Sequence, residues 1–356
     1  MSELQIGLSK WRRRQISKGL FDNWPNAVIS IISLAILLWM AAPLLRWAGS
    51  AAIWSGAGTD CSAEGAGACW AFIAAKFRFI VFGFYPPVLQ WRPALAIVCI
   101  LALLFISADP RSWGFKLLIF WPIALLLVWL LMAGVVVSPP VPTNQWGGLP
   151  ITLLVSVIGL ATAFPVALLL ALARRSSMGI LRVLAVTFIE CLRGIPLIAV
   201  LYVAMLILPM ALPNGALLDK LLRAQIGITL FVSAYLAEVI RAGLQSIPPG
   251  QLEAAYSLGL GYWRTTQLVV LPQALRAVIP AIVNLSIGIL LNTSLLAVIG
   301  ISDLLNTGKI AATDPLWLGF YTEAYVFTGA IYFAISFAAS RYSLWLERRL
   351  AAGKTH

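Results

Sequence analysis

Residues 149–173 read LPITLLVSVIGLATAFPVALLLALA, an apolar run without one charged side chain. A helix rises about 1.5 Å per residue, so a run of this length crosses a hydrocarbon core about 30 Å thick. It is too long for a membrane strand and does not alternate. In lipid a helix satisfies such a backbone internally. Working outward, comparable runs occur at 27–45, 93–108 and 117–137 on one side, and at 183–212, 226–244, 278–301 and 324–346 on the other. The run 93–108 is the shortest. The expected fold is therefore an all-α integral membrane protein with about eight transmembrane helices.

Composition agrees. Hydrophobic residues make up 61% and charged residues 11% of the 356, with a mean hydropathy of +0.93, which excludes an ordinary soluble domain. The net charge of +12 follows topology. Lys and Arg accumulate in cytoplasmic loops, and cytoplasmic termini place Lys10, Arg12, Arg13, Arg14, Lys18, Arg174, Arg175, Arg348 and Arg349 on that side. No groove-reading motif accompanies them, so lipid is the expected partner and nucleic acid is not. The first run is long and lacks a cleavage site, so it stays as a helix. The aromatic stretch 72–85 carries Lys76 and Arg78 and reads as interfacial. Cys61 and Cys69 fall in a loop assigned to the oxidising side; they either form a disulfide or remain two small reduced residues. Cys99 and Cys191 lie within spans and read as packing residues.

The chain is organised as a cytoplasmic segment 1–26, three accessory helices with an outer loop over 27–137, a Pro-rich linker 138–148, a five-helix block 149–346 and a cytoplasmic tail 347–356. Intramembrane polar residues concentrate in the five-helix block. Its cytoplasmic loop, 245–275, contains Glu253, Ala254, Ala255, then Gly259, and later Val269, Leu271 and Pro272. Glu253 falls near the start of a short helix, where a carboxylate complements the dipole. Ala254 and Ala255 permit close approach by a partner, and Gly259 permits a bend. A second amphipathic stretch, 262–271, is expected to end where Pro272 disrupts the helical ladder.

This spacing resembles the EAA motif of ABC importer permeases: Glu-Ala-Ala, three residues, Gly, nine residues, an aliphatic, any residue, Leu-Pro. An amphipathic loop without a docking role would explain the periodicity but not these offsets together. The resemblance implies that Glu253, Ala254, Ala255, Gly259, Leu271 and Pro272 couple the chain to a cytoplasmic ATPase dimer. ATP and Mg belong to that partner. Here Gly353, Lys354 and Thr355 lack the Gly a phosphate loop needs at position 348, which is Arg348. A Gly-x-Gly-x-x-Gly reading from Gly259 fails at Arg264, and the sole histidine is His356. No catalytic residue, metal site or cofactor bound by this chain is expected, and the chain is not expected to be an enzyme.

The five-helix block is similar to the polar amino-acid group of these permeases. Glu190, Cys191, Leu192, Arg193, Gly194, Ile195, Pro196, Leu197 resembles that group's Glu-x-x-Arg-Gly-Thr-Pro-Leu stretch, with Ile195 in place of Thr. Ala237 to Gly243 agrees as well. Asn292, Thr293, Ser294, Leu295 resembles Asp-Thr-Ser-Leu with an amide in place of the acid. The accessory helices, the cysteine loop and the ending 317–342 look most like the M-type permease of general L-amino-acid importers. The resemblance implies a second homologous permease, a periplasmic amino-acid-binding protein and a place in the bacterial inner membrane. Alternatives are a permease for another small polar solute, or a scaffold that holds an ATPase and transports nothing.

Charges inside a bilayer are costly unless paired. Glu190 with Arg193 and Glu238 with Arg241 are each three apart, so each pair is expected to meet on one helix face. They read as structural or gating pairs, or Arg193 and Glu238 take the carboxylate and amino groups of a substrate. Asn284, Asn292 and Thr293 are expected on similar faces of one helix, with Ser294 beside them, either lining a pathway or holding helices together. Pro196 and Pro280 are expected to bend their helices.

Overall fold

A computed structural model describes residues 20–112, 114–135, 137–211 and 218–352. The basic residues Lys10 to Lys18, Leu212 at the end of the fifth run, and Gly353 to His356 lie outside the described residues. The chain divides into two compact units, Met1–Ala75 with Leu316–Glu323, and Lys76–Pro315 with Ala324–His356.

In the first unit, α1 (Trp24–Leu45) carries Pro in its first turn, where no backbone donor is needed, and buries none of its residues. The loop after it is folded. Cys61 and Cys69 form a disulfide with Cα atoms 5.5 Å apart. Trp70 donates its indole N–H to the Ala48 carbonyl at 2.8 Å, and the rings of Trp47 and Trp54 pack on it. The Glu323 carboxylate accepts the buried Cys69 N–H, while Phe72 packs on Trp317 and Phe320. The aromatic stretch becomes α2 (Trp70–Phe82). At about 20 Å this helix is shorter than a hydrocarbon core.

The second unit contains α3 (Trp91–Ala108), α4 (Phe115–Ala133), α5 (Gly148–Arg174), α6 (Gly179–Gly194), α7 (Leu197–Ala211) and α8 (Lys220–Gln245). It continues through α9 (Pro249–Ser257), α10 (Leu271–Asn292) and α11 (Leu304–Ala311); α12 (Tyr321–Ala352) closes the chain. Among the described residues six helical runs are long and apolar enough to cross a membrane, and Ile119–Ala133 is a shorter apolar helix. The remaining expected span, 183–212, is not straight: α6 and α7 meet at 108°. Pro196 stands at this break, where it can supply no backbone donor to either helix. Each of the eight expected runs thus contains a helix among its described residues, the third ending at Ala133 and the fifth corrected from one rod to a bent pair.

Helix α8 packs against α5, α6, α7 and α10. Small residues permit this. Gly159, Ala163, Ala167 and Ala171 recur at four-residue spacing on α5, all buried, and a Cβ on Gly159 would meet Ile228 Cγ2 at 2.9 Å. Helices α3 and α4 pair with each other, and α3 lies against α5. Tyr85 donates to the Met132 carbonyl at 2.7 Å, the buried Arg92 donates to the Pro139 carbonyl at 2.8 Å, and Tyr342 donates to the Ala108 carbonyl at 2.9 Å.

A buried polar knot closes the other side of α5. Asp303 is the N-cap of α11, accepting the Leu305 and Asn306 N–H groups. It also accepts the Tyr332 hydroxyl at 2.9 Å. Thr293 shares a hydrogen bond with Tyr332 at 3.3 Å, and the Leu304 N–H donates to Thr152 Oγ1 at 3.0 Å. Burial pushes the Asp303 carboxyl above the usual carboxylate range despite these donors.

Two outcomes follow from this packing. With Cys99 and Cys191 blocked, thiol labelling is expected to find Cys61 and Cys69 only after reduction; label entering beforehand counts against the bond. Because native Asp303 keeps its proton where the unfolded chain has lost it, stability is expected to fall as pH rises through that interval. Asp303→Asn is expected to flatten this dependence of the apparent Tm in detergent, at a cost of about 1 kcal/mol for the acceptor oxygen lost to one of its three donors. An unchanged slope contradicts the assignment.

Candidate functional site

The loop between α8 and α10 starts with α9, whose Pro248 and Pro249 fit a first turn that needs no backbone donors. Leu252 and Ala255, three apart, face inward. Leu252 packs on the core formed by Ala167, Ala171, Ile189, Leu236, Ala237, Ile240, Leu244, Val270 and Ala274. Ala255 is 3% exposed. Glu253 and Ala254 face outward. The expectation that both alanines offer close approach to a partner is therefore corrected: successive residues are turned by about 100°, which leaves Ala254 outside and Ala255 within.

Gly259 ends the helix. Its φ is +75°, the left-handed region that favours glycine. Its N–H donates to the Tyr256 carbonyl and the Leu260 N–H to the Ala255 carbonyl, the paired bonds of a Schellman cap. Tyr256, Leu258, Tyr262 and Trp263 are exposed around this turn.

The stretch 262–271 differs from a single amphipathic helix. Tyr262–Thr265 is one α-helical turn and Thr266–Val270 is a π-helical turn. Pro272 does not end the helix; it sits in the first turn of α10. The missing Pro272 N–H and the bulk of its ring are absorbed by the wider turn, in which the Leu271 N–H reaches back to Thr266. Leu271 itself packs on the core that holds Leu252.

The predicted ion pairs form a larger network. Arg241 holds Glu238 through two nitrogens, at 2.9 Å from both Nε and Nη2 to Oε2. Glu190, however, lies nearer to Arg174 than to Arg193, at 2.9 Å against 3.7 Å. Arg174 also reaches Glu238 at 2.8 Å. It thereby ties the end of α5 to α6 and α8, a role that sequence spacing concealed because its partners lie 16 and 64 positions away. Arg193 is the loosest member, 3.9 Å from Glu238 and 35% exposed, with its guanidinium over the Tyr235 ring at 5.7 Å. Three arginines against two carboxylates leave one positive charge in excess.

Asn284 and Asn292 are exposed on α10, whereas Thr293 is buried. The expected common face is corrected, because α10 tightens into a 3-10 turn at Thr293–Ile299. That turn carries Thr293 into the knot with Tyr332. Ser294 donates to the Leu291 carbonyl of its own helix. Close to the loop, Gly243 brings α8 onto α10: a Cβ there would stand 2.6 Å from Val278 Cγ1 and 2.7 Å from the Ala274 carbonyl. No cluster of three metal-ligating side chains occurs among the described residues.

This architecture is that of an all-α, multi-pass membrane protein. A family model, the binding-protein-dependent transport system inner membrane component, matches residues 163–352, and the chain belongs to that family. It is 44% identical over 96% of its length, and 93% of the relative's, to the Escherichia coli (strain K12) inner membrane amino-acid ABC transporter permease protein YhdY. It is 34% identical over 97% of its length, and 94% of the relative's, to the glutamate/glutamine/aspartate/asparagine transport system permease protein BztC of Rhodobacter capsulatus. Among solved structures it is similar to an amino acid ABC transporter with histidines, at 32% identity and a TM-score of 0.51, covering 57% of this chain and 92% of that one.

Arg174→Ala is expected to lower stability by about 1–3 kcal/mol, because Glu190 and Glu238 lose their shared partner. Arg193→Ala is expected to cost less. The apparent Tm of the two variants in detergent decides, and equal losses contradict the central place of Arg174.

Proposed function

We propose that this chain is one permease half of a binding-protein-dependent ABC importer that moves polar L-amino acids across the bacterial inner membrane, most like the M-type subunit of general L-amino-acid importers. The observation that carries this reading is the form of α9. Its outward Glu253 and Ala254 are presented by a helix that is capped at Gly259 and anchored to the core through Leu252 and Ala255. Such an element is exposed for a partner yet mechanically tied to α5, α8 and α10. The similarity to permeases for amino acids supports the substrate class.

In this reading both termini are cytoplasmic, and α9 docks on one copy of an ATPase dimer that binds ATP and Mg. A homologous permease supplies the other half of the pathway, and a periplasmic binding protein delivers the substrate. Closure of the ATPase dimer draws the two docking loops together, and the helices alternate between access from either side. The excess positive charge around Arg193 suits a substrate carboxylate. Asn284 and Asn292 point away from their own chain. An amide facing hydrocarbon is unfavourable, so this face of α10 belongs to the pathway or to the second permease.

The test is uptake of labelled amino acids into proteoliposomes holding the chain with its cognate permease, ATPase and binding protein. ATP-dependent uptake of several polar amino acids supports the reading; uptake of none, with ATPase stimulation by another solute, overturns the substrate class. Glu253→Lys and Gly259→Pro are expected to abolish at least about nine-tenths of transport while membrane insertion persists, since each removes a feature needed at the docking surface. Normal transport by both would sink the coupling assignment.

A further inference from the structure

The backbone between α9 and α10 contains two soft joints. One is the left-handed turn at Gly259, where no neighbouring atom lies within 4 Å of an added Cβ. The other is the π-helical turn Thr266–Val270, a local departure from regular helix that is frequent at functional sites. Behind this segment lies a cavity of about 100 Å³ lined by Leu172, Leu244, Leu252, Tyr256, Thr266 and Val270 among others. Taken alone, a backbone connection with two joints and space behind it transmits force poorly, so what passes from α9 to α10 depends on side-chain contacts.

One side chain bypasses both joints. Gln273, in the first turn of α10, donates from Nε2 to the Gln251 Oε1 of α9 at 3.2 Å. The same nitrogen donates to the Val269 carbonyl of the π-helical turn at 2.9 Å. A carbonyl only accepts, so Val269 fixes which end of the Gln273 amide is the nitrogen, and Gln251 must then offer its oxygen. Both N–H groups of Gln273 are used. The bond to Val269 holds the side chain in place before it meets Gln251, so little rotamer freedom is lost in forming the second bond. An isolated hydrogen bond between two exposed glutamines would contribute little; here one partner is already immobilised.

We propose that Gln273 is a positioning residue that sets the angle between α9 and α10, so that displacement of the docking helix is passed to the helix bearing Asn284 and Asn292. Without this strap, α9 moves into the cavity and the π-helical turn absorbs the stroke. The inference rests on the reading of α9 as an ATPase-docking helix. It adds that transmission to α10 runs through the Gln251–Gln273 bond, alongside the shared apolar core.

The experiment uses the complete complex in proteoliposomes and reads amino acid transported per ATP hydrolysed, together with retention of the ATPase on the membrane complex. Gln273→Ala and Gln251→Ala are each expected to retain the ATPase and to lower the transport-to-ATP ratio about three- to tenfold, the worth of one such bond. Combining them is expected to cost no more than either alone. Gln251→Glu with Gln273→Lys, which replaces the amide pair by an ion pair and keeps a donor for Val269, is expected to restore most of the ratio. An unchanged ratio in Gln273→Ala overturns the proposal, as do additive losses in the double variant. Loss of the ATPase from Gln273→Ala also overturns it, since the residue would then shape the docking surface only. Glu253→Lys in parallel separates the two levels. If it leaves docking and transport intact, the docking-helix reading falls; if it abolishes docking while Gln273→Ala leaves the ratio unchanged, only the present inference falls.

Discussion

Glu238 lies where Arg174, Arg193 and Arg241 converge, on the helix that packs against α5, α6, α7 and α10. A carboxylate on a membrane helix is tolerable only when such partners are present, and here the partners come from three helices. Compensation of this one charge therefore dictates where the ends of α5 and α6 stand beside α8. The small residues of α5 and Gly243 of α8 let the helices approach closely enough for these charges to meet. Packing and ion pairing here reinforce each other.

The same helices that hold the network also floor the loop. Leu244, Val270 and Ala274 belong to the core on which Leu252 and Leu271 pack, and Arg175 donates to the Leu244 carbonyl at 2.9 Å. The ends of α5 and α8 thus form the floor under α9. At the far side of α5, Thr152, Asp303 and Tyr332 fix α11 and α12 through buried hydrogen bonds. Helix α5 is thus pinned by ion pairs at one end and by buried hydrogen bonds at the other.

The helical class and all eight apolar runs were legible because hydrophobic length is a local property, and the loop because its Glu-Ala-Ala, Gly and Leu-Pro offsets are a pattern along the chain. What failed was geometry across elements. The break at Pro196 was visible as a proline, but its 108° angle depends on how α6 and α7 pack on α8. The helical turn spacing assigned one exposed and one buried alanine only once the inward direction of Leu252 was known. Arg174 counted as a topological charge because nothing in the sequence says which carboxylates fold against it. Asp303 had a usable signal, an acid before the short helix that starts at Leu304, yet its meeting with Tyr332 spans 29 positions. The π-helical turn was missed since Pro272 is as compatible with a break as with a widened turn.

Helix α1 buries none of its residues, so its own unit offers it no pocket to fill. A helix of that kind is complete as soon as lipid surrounds it, before any later segment has been synthesised. Membrane insertion and folding are separate events for it, and the first helix usually dominates the orientation of a multi-pass chain. Such a helix supplies an orientation signal to the membrane without contributing a buried side chain to its own unit.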